Sequence, residues 1–520
     1  MFLPNKKRRP AKAIYGIVAL LLAPLICRAD PTPLPNDYFA LQVVDEQTGR
    51  GVPMVELKTT SEVCHYTDSN GYIAFYEPGL MNRKVWFSIS SHGYEFPPDA
   101  FGQRGVRLDT RPGATARLKI KRLNIAERLY RVTGQGIYRD TVLLGQKAPI
   151  AEPLLNAEIT GQDGVLNAIY RGKLYWFYGD TLRASYALGN YSMTGATTPL
   201  PDKIDPSVGF DLHYFPGKDG FVRAMAPING EGAVWLSGLV VLPGEDGGER
   251  MMAFYQRRHG LGEVLENGFV SYNDETEQFE KLKAVPLNPP VHPQGYPFRV
   301  TGGDGVECIY FPAPYPALRV KADRASYVDL SKYESYTCLK PGARDSLQLD
   351  RDAGGKLVWA WKENTPPLNP KDQQDLIKSG RMRLDESPFR LRDAGNGKPI
   401  LLNSCSCCWN NYRKRYIMIA SESWGATMLG EVWYSEADRP EGPWSQARKI
   451  ITHANKPNDA HDFYNPVQHA FFDQDGGRVI YLEGSYVNTF SGNRNTTPDY
   501  EYNQIMYRLD LSDARLKLQP

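Results

Sequence analysis

The sequence TGQDGV at residues 160–165 is followed by Ile169-Tyr170, and the sequence TGGDGV at residues 301–306 is followed by Ile309-Tyr310. Around both copies, short aromatic and β-branched runs, such as LYWFY at residues 174–178, alternate with Gly- and Pro-containing turns. This alternation is typical of β-strands joined by tight turns. A repeat made of strands indicates sheets that are stacked or arranged radially.

A second repeat, a strand followed by a charged turn and a short strand, occurs at residues 270–279, 432–444 and 506–516. Together the repeats divide the C-terminal part into five units, at about residues 154–215, 230–285, 298–362, 398–452 and 462–516. Five units of about four strands each fit a five-bladed β-propeller, in which radial repetition leaves only short protected sheet edges. The sequence therefore predicts an all-β chain.

The N-terminal part has shorter strands at closer spacing, beginning with the run FALQVV at residues 39–44 and ending near Lys121. This spacing predicts a small β-sandwich at residues 36–122. Residues 123–153, with a short helical or irregular bridge at 124–133, are predicted to link the sandwich to the propeller at residues 154–520. The motifs TDSNGYIAF at residues 67–75 and SHGY at residues 91–94 resemble those of the carboxypeptidase-regulatory-like (transthyretin-like) family, whose members serve mostly as spacers or docking domains.

The first 29 residues match a secretory signal peptide. A basic segment that includes Lys6 and Arg9 precedes an apolar run from Ala13 to Ile26, and the small residue Ala29 ends the pattern. The apolar run is shorter than the roughly 20 residues of a membrane span. We therefore expect a periplasmic or extracellular protein without a membrane span in the mature chain.

Export to an oxidising compartment favours disulfide bonds. The cysteines that follow the signal peptide are Cys64, Cys308, Cys338, Cys405, Cys407 and Cys408. We predict that the cluster at residues 405–408 forms disulfides, with Cys308 or Cys338 as partners. A metal or thiolate site is the alternative, although Cys-x-Cys-Cys is not a familiar zinc spacing.

Charge and motifs exclude several classes of function. The 61 basic and 59 acidic residues lack the basic excess of an electrostatic nucleic-acid binder. The sequence contains no Walker-type loop, no dinucleotide fingerprint between a strand and a helix, and no Gly-x-Ser-x-Gly elbow. Phosphoryl transfer, hydride transfer and serine-hydrolase chemistry are therefore disfavoured, and no cofactor is predicted.

Three aspartates are the leading catalytic candidates. Asp163 and Asp304 occupy the two copies of the repeat, which predicts equivalent positions on the innermost strands of blades one and three, and Asp180 ends the next strand of blade one. Carboxylate pairs are what glycoside hydrolysis requires. The structural alternative is that Gly-x-Asp-Gly is a turn and that Asp180 caps another.

Further candidates lie in blades one, four and five. Glu422 is a candidate acid, and His469 is a candidate base, lyase residue or ligand of a buried ion. Tyr175, Trp176 and Trp424 are candidates for stacking on sugar rings. Each has a structural alternative, as a strand-end residue, a hydrogen-bonded histidine or a core aromatic. The sequence assigns no metal ligands, but leaves room for a structural cation in the channel.

The segments GQDG at residues 161–164 and YWFYGDT at residues 175–181 resemble the opening of five-bladed propeller glycoside hydrolases, above all a group that includes D-arabinan-cleaving enzymes. The segment YSEADRPEGPW at residues 434–444 is similar to a strand and turn of arabinanase- and xylosidase-like propellers. The resemblance implies that Asp163 and Asp180 act as the acid/base or nucleophile pair.

These observations predict a secreted protein that hydrolyses glycosidic bonds in a polysaccharide or oligosaccharide. One alternative is a non-catalytic propeller that binds a glycan or a protein through the same aromatic residues. Another is a polysaccharide lyase that uses His469 and a tyrosine as base and acid. Neither nucleic acid nor a membrane is expected as a partner.

Overall fold

The structure is a computed structural model that describes residues 35–343, 347–456 and 459–518. The predicted signal peptide, residues 1–29, lies outside these ranges. Among the described residues, no helix combines the length and the apolar character that crossing a membrane requires.

Two four-stranded sheets form a small sandwich at the N-terminal end. Its strands are β1 (Phe39–Asp45), β2 (Glu56–Thr59), β3 (Cys64–Tyr66), β4 (Tyr72–Phe75), β5 (Lys84–Ser90), β6 (Tyr94–Glu95), β7 (Gly105–Asp109) and β8 (Thr115–Arg122). One sheet has the order β4-β1-β8-β6 and the other β3-β2-β5-β7. Alternating residues such as Leu41, Val43 and Leu57 face inward and form the buried core. The resemblance to the carboxypeptidase-regulatory-like family stays a prediction.

The chain then continues through β9 (Glu127–Arg131) and the helix α1 (Arg139–Leu143). Eleven strands follow up to the end of the second blade: β10 (Ile159–Gln162), β11 (Val165–Tyr170), β12 (Lys173–Tyr178), β13 (Thr181–Arg183), β14 (Tyr186–Asn190), β15 (Thr194–Thr198), β16 (His213–Tyr214), β17 (Ala233–Pro243), β18 (Glu249–His259), β19 (Glu263–Asn273) and β20 (Gln278–Val285). Blade one is the sheet β11-β12-β15-β16, and blade two is the sheet β17-β18-β19-β20. The short sheet β10-β13-β14 accompanies blade one.

Blade three consists of β21 (Phe298–Thr301), β22 (Glu307–Phe311), β23 (Leu318–Lys321), β24 (Glu334–Thr337) and β25 (Ala360–Glu363). The helix α2 (Arg324–Tyr327) lies between β23 and β24, and α3 (Pro370–Lys378) connects blade three to blade four. Blade four consists of β26 (Phe389–Asp393), β27 (Leu402–Asn410), β28 (Arg415–Glu422), β29 (Val432–Ala437) and β30 (Trp444–Ile451). In this blade β26 runs parallel to β30 as the outermost strand.

The two-stranded sheet of β31 (Ala454–Lys456) and β32 (Asp459–Ala460) leads into blade five, which contains β33 (Asp462–Gln468), β34 (Val479–Val487) and β35 (Asn503–Asp510). Its fourth strand is β9, which pairs antiparallel with β35. The ring is thus closed by hydrogen bonds between the two ends of the propeller. The five sheets and the preceding sandwich confirm the predicted all-β fold.

Strand β9 corrects the interpretation of residues 124–133 as a helical or irregular bridge. In the sequence this segment is too short and too charged to stand out as a strand. Its pairing partner β35 lies about 380 residues further along the chain, so local pattern does not reveal it. Tertiary pairing decides the structure of such a segment.

Arg128 of β9 joins the propeller to the sandwich. Its buried guanidinium donates to the carbonyl oxygens of Pro53 and His92, at 3.1 and 3.2 Å, and to Ser91 Oγ at 2.5 Å. Three buried acceptors in the sandwich therefore depend on one side chain of the propeller.

Replacing this guanidinium should lower stability strongly. Arg128→Leu leaves three buried acceptors without their donor, each at a cost of about 1–3 kcal/mol, and we expect the apparent melting temperature to fall by about 5 °C or more. Differential scanning fluorimetry measures the change. Arg111→Leu, on an exposed arginine that pairs with Asp109, is the matched control and should change stability by less than about 0.5 kcal/mol. An equally small effect of both variants would contradict the role of Arg128.

The predicted disulfides are wrong. All six cysteines from Cys64 to Cys408 are free thiols. Cys405 and Cys407 lie on the same face of β27 inside the core of blade four, and the Cys405 thiol donates to the Pro314 carbonyl at 2.7 Å. Burial raises the pKa of both thiols, so they pack as neutral residues of the core.

Candidate functional site

A cavity of about 720 Å³ opens at the end of the propeller channel from which the innermost strands start. Blades one, two, three and five supply its walls, through residues that include Asp163, Asp180, Trp235, Arg258, Tyr296, Tyr464, Asn465, Phe490, Glu501 and Tyr502. The volume falls within the range of about 300–1,000 Å³ that is typical of small-molecule sites. Three carboxyl groups and five aromatic side chains share this space.

Asp163 and Asp180 lie close together at the open end of the first hairpin of blade one. The paired residues of β11 and β12 end at Val165 opposite Tyr178, and the two aspartates lie just beyond this pair. The Asp163 amide donates to the Asp180 carbonyl at 2.9 Å, and the Asp163 carbonyl accepts from the Gly179 amide at 2.8 Å. The two carboxyl groups are near enough for the charge of Asp163 to act on the pKa of Asp180.

Asp163 is surrounded by hydrogen-bond donors. Ser485 Oγ donates to Asp163 Oδ1 at 3.1 Å, and Ser485 itself accepts from the Gly164 amide at 3.0 Å and from Gln504 Nε2 at 2.8 Å. Because these two bonds use the acceptor capacity of the hydroxyl, its proton is directed at Asp163. This arrangement requires an accepting oxygen on Asp163.

Two tyrosines complete the donor set. The hydroxyl groups of Tyr464 and Tyr502 stabilise the ionised form of the Asp163 carboxyl group. Burial, and then the charge of Asp163, raises the pKa of both phenols, so they remain protonated donors. Burial raises the pKa of Asp163, and the surrounding donors act in the opposite direction by stabilising its carboxylate form.

Asp180 has fewer donors. Trp235 Nε1 donates to Asp180 Oδ1 at 3.1 Å. Burial, together with the nearby charge of Asp163, raises the pKa of Asp180 to about 6. Burial raises the pKa of both carboxyl groups, but their environments differ: Ser485, Tyr464 and Tyr502 stabilise the carboxylate form of Asp163, whereas Trp235 alone stabilises that of Asp180. Enzymes use such a difference in environment to separate a base or nucleophile from an acid.

Glu501 is a third carboxyl group in the cavity wall, and the sequence did not single it out. Its Oε1 accepts from the Asn488 amide at 2.8 Å, and its buried Oε2 has no hydrogen-bond partner among the described residues. Burial raises the pKa of Glu501. It lies at the end of the long loop after β34 and directly before β35. No sequence pattern marks this position, which only the assembled blades bring to the cavity.

The predicted aromatic contacts are corrected. Tyr175 and Trp176 are core residues: Tyr175 packs between blades one and two, and Trp176 is fully buried with its Nε1 donating to Thr198 Oγ1 at 3.0 Å. Strand β12 is covered on both faces by neighbouring sheets, so neither side chain reaches the cavity. Trp424 is 71% exposed on the loop after β28 and lies outside the cavity wall.

Aromatic residues next to the starts of innermost strands line the cavity instead. Trp235 lies at the start of β17, Tyr296 precedes β21, and Tyr464 lies early in β33. Phe490 and Tyr502 extend from the loop between β34 and β35. Position near the start of an innermost strand, rather than aromatic density, therefore marks the residues that could stack on sugars.

Asp304 does not match Asp163. It lies in the exposed hairpin turn between β21 and β22, where its Oδ1 accepts from the Val306 amide at 3.0 Å. Asp163 precedes its innermost strand, whereas Asp304 follows β21, so the two lie at opposite ends of their blades. The Gly-x-Asp-Gly pattern thus occurs in two different local structures. The prediction that Asp163 and Asp304 occupy equivalent positions is wrong.

Glu422 and His469 also lie elsewhere. Glu422 accepts from Trp433 Nε1 at 2.8 Å within blade four. His469 is fully buried against Trp176, with its Nδ1 3.0 Å from Asn167 Nδ2 and its Nε2 3.6 Å from Glu483 Oε1. A base for lyase chemistry needs contact with substrate, so this position corrects the lyase assignment. A structural cation in the channel stays a prediction.

Comparisons with known proteins find only distant similarity. No protein-family model matches the chain, and no curated protein matches it. Among solved structures, a putative exo-β-1,3-galactanase from Bifidobacterium bifidum is 12% identical with a TM-score of 0.34, over 68% of this chain and 89% of that one. An exo-1,5-α-L-arabinanase from a bovine ruminal metagenomic library is 10% identical with a TM-score of 0.34, over 68% and 94%.

An exo-β-1,3-galactanase from Phanerochaete chrysosporium, in complex with galactose, is 11% identical with a TM-score of 0.37, over 76% of this chain and 67% of that one. Likeness at this level carries no weight for the activity of this chain. The architecture rests on the strand pairing, and the chemistry rests on the cavity.

Proposed function

We propose that this chain is a glycoside hydrolase that cleaves a polysaccharide or oligosaccharide in the cavity at the end of the propeller channel. The observation that carries the proposal is the pair Asp163 and Asp180, which lie together at the end of one hairpin in a cavity lined with aromatic residues. Glycoside hydrolysis uses two carboxyl groups, one protonated and one ionised, on either side of the scissile bond.

In the proposed mechanism Asp163 acts as the carboxylate. Held by Ser485, Tyr464 and Tyr502, it either activates a water molecule or attacks the anomeric carbon. The separation of the carboxyl groups in a substrate complex distinguishes these routes: about 5–5.5 Å favours direct attack and about 6.5–9.5 Å favours an activated water molecule.

Asp180 acts as the acid that protonates the leaving oxygen. Its pKa of about 6 leaves an appreciable protonated fraction at weakly acidic pH. The apolar faces of Trp235, Tyr296 and Phe490 offer stacking surfaces for sugar rings. Glu501 provides a further carboxyl group that faces the same space and supports substrate hydroxyls.

The pH profile tests the role of Trp235. Its indole N–H stabilises the ionised form of Asp180, so Trp235→Phe should raise the pKa of Asp180 above about 6. Activity that requires protonated Asp180 is lost as pH rises through this pKa. We therefore expect the alkaline limb of the kcat/KM profile to move to higher pH in Trp235→Phe. An unchanged limb, or a shift to lower pH, would contradict Asp180 as the acid.

A screen against plant, algal and bacterial glycans tests the proposed activity. New reducing ends support hydrolysis, an unsaturated product that absorbs in the ultraviolet indicates a lyase, and retention without products indicates a non-catalytic binding propeller. The proposal includes export, since residues 1–29 match a signal peptide, and so the substrate would be a glycan outside the cytoplasm.

A further inference from the structure

Three potential metal ligands meet where the sandwich contacts the propeller. His92 lies in the turn between β5 and β6, Asp459 lies in β32, and His461 directly precedes β33. One ligand atom from each residue lies within 4.8 Å of the other two. The three side chains line a cavity of about 600 Å³. This cavity is separate from the one that Asp163 and Asp180 line.

The two imidazoles are buried, at 7% exposure for His92 and 4% for His461. The Nδ1 atom of each is buried and has no hydrogen-bond partner in the described part of the chain. Buried polar atoms normally have a hydrogen-bond partner. Two buried nitrogens without one, at the same place, therefore indicate a site for a ligand. The two rings lie 5.0 Å apart between centroids.

The hydrogen bond of His461 fixes which nitrogen is available. Its Nε2 lies 3.0 Å from the carbonyl oxygen of Asn495, and a carbonyl can only accept. The proton therefore resides on Nε2 and leaves a lone pair on Nδ1. Metal-binding histidines commonly have this arrangement: one ring N–H donates a hydrogen bond to a backbone carbonyl, and the other ring nitrogen binds the metal.

The surroundings keep the ligands in place. Arg128 donates to the carbonyl oxygen of His92 and to Ser91, which holds the turn against the propeller. Asp459 supplies a carboxylate and approaches His92 Nε2 at 3.8 Å.

We propose that His92, Asp459 and His461 bind a divalent transition metal ion of the zinc class at the junction between the sandwich and the propeller. Two imidazoles and one carboxylate suit zinc and related ions, whereas calcium and magnesium prefer oxygen ligands. Zinc bonds of about 2.0–2.2 Å place neighbouring ligands about 3.5 Å apart, so binding draws the side chains together by about 1 Å.

The metal would connect the sandwich to the loop that carries part of the substrate cavity. Asn495, which fixes His461, belongs to the loop between β34 and β35 that also contains Phe490. Asp462, the next residue after His461, accepts from the Phe490 amide at 2.8 Å. Binding at the folded site alone stabilises the fold, so zinc should raise the melting temperature.

Calorimetric titration of the full chain with ZnCl₂, after chelator treatment, tests the site. The titrations use a Cys64→Ser background, because the exposed Cys64 lines the same cavity and thiolates bind zinc. We expect one equivalent of zinc per chain. Asp459→Asn and His461→Gln should each weaken binding at least tenfold, and His259→Gln, on an exposed histidine of blade two, should leave it unchanged.

Cobalt provides a measurement that requires no change at the ligands. In the Cys64→Ser chain, one equivalent of Co²⁺ should produce visible absorption bands without a thiolate charge-transfer band, and zinc should abolish them. Absence of saturable binding, or zinc affinity unchanged in Asp459→Asn, would overturn the proposal. Glycan hydrolysis is measured separately, so failure of this site leaves the proposed hydrolase activity untouched.

Discussion

Asp163→Asn should reduce kcat/KM for glycan hydrolysis by about 10⁴-fold, at the upper end of what one acid–base group contributes. The amide has nearly the shape of the carboxylate, and its oxygen can still accept from Ser485 Oγ, which lies 3.1 Å from Asp163 Oδ1. It can neither attack carbon nor remove a proton from water. Initial rates of reducing-end formation measure the loss.

The matched control comes from the second copy of the sequence repeat. Asp304→Asn makes the same change in an exposed hairpin turn, and its rate should stay within about twofold of the parent. Affinity electrophoresis should show that Asp163→Asn still retains the glycan, and its melting temperature should remain close to that of the parent. Full activity in Asp163→Asn would place the chemistry elsewhere.

Asp180→Asn should reduce kcat/KM for natural glycans by about 10²–10⁴-fold, because protonation of the leaving oxygen is lost. For aryl glycosides whose phenolate leaves without being protonated, kcat/KM should fall much less. The ratio of the two losses is the signature of a general acid and can be measured with substrates of graded leaving-group pKa. Equal losses with all leaving groups would contradict this role.

Glu501→Gln serves as the comparison for Asp180→Asn. Glu501 lines the same cavity and also has a raised pKa, so it is the group that could replace Asp180 as acid. We expect Glu501→Gln to weaken binding with little dependence on the leaving group. If the loss of kcat/KM depended on the leaving group in Glu501→Gln but not in Asp180→Asn, Glu501 would be the acid instead.

The sequence predicts the fold better than the site. Strand periodicity and turns were enough for the blades and the sandwich, since these features are local, although the repeat around Asp163 and Asp304 joined two positions that are not equivalent. Strand β9 was missed because it pairs with β35 from the other end of the chain. The prediction of disulfides was wrong because Cys405 and Cys407 point into the core of one blade. The spacing of the cysteines alone does not reveal this placement.

Within the site, sequence reasoning found residues where local pattern and three-dimensional position coincide. Asp163 and Asp180 were found because both lie at the end of one hairpin, where their backbones are hydrogen bonded. Asp304 was misplaced because the same short motif also forms a turn. Glu501 and Trp235 were missed because only the assembled ring brings their blades to one cavity.

Product analysis in ¹⁸O-labelled water tests the central claim most directly. The measurement uses a glycan on which the chain acts, with Asp163→Asn as the control, and mass spectrometry of the products. Hydrolysis at the paired carboxylates predicts one ¹⁸O atom at the anomeric carbon of each new reducing end, and products absent or reduced about 10⁴-fold in Asp163→Asn. Unlabelled unsaturated products, or labelled products formed equally fast by Asp163→Asn, would contradict the account.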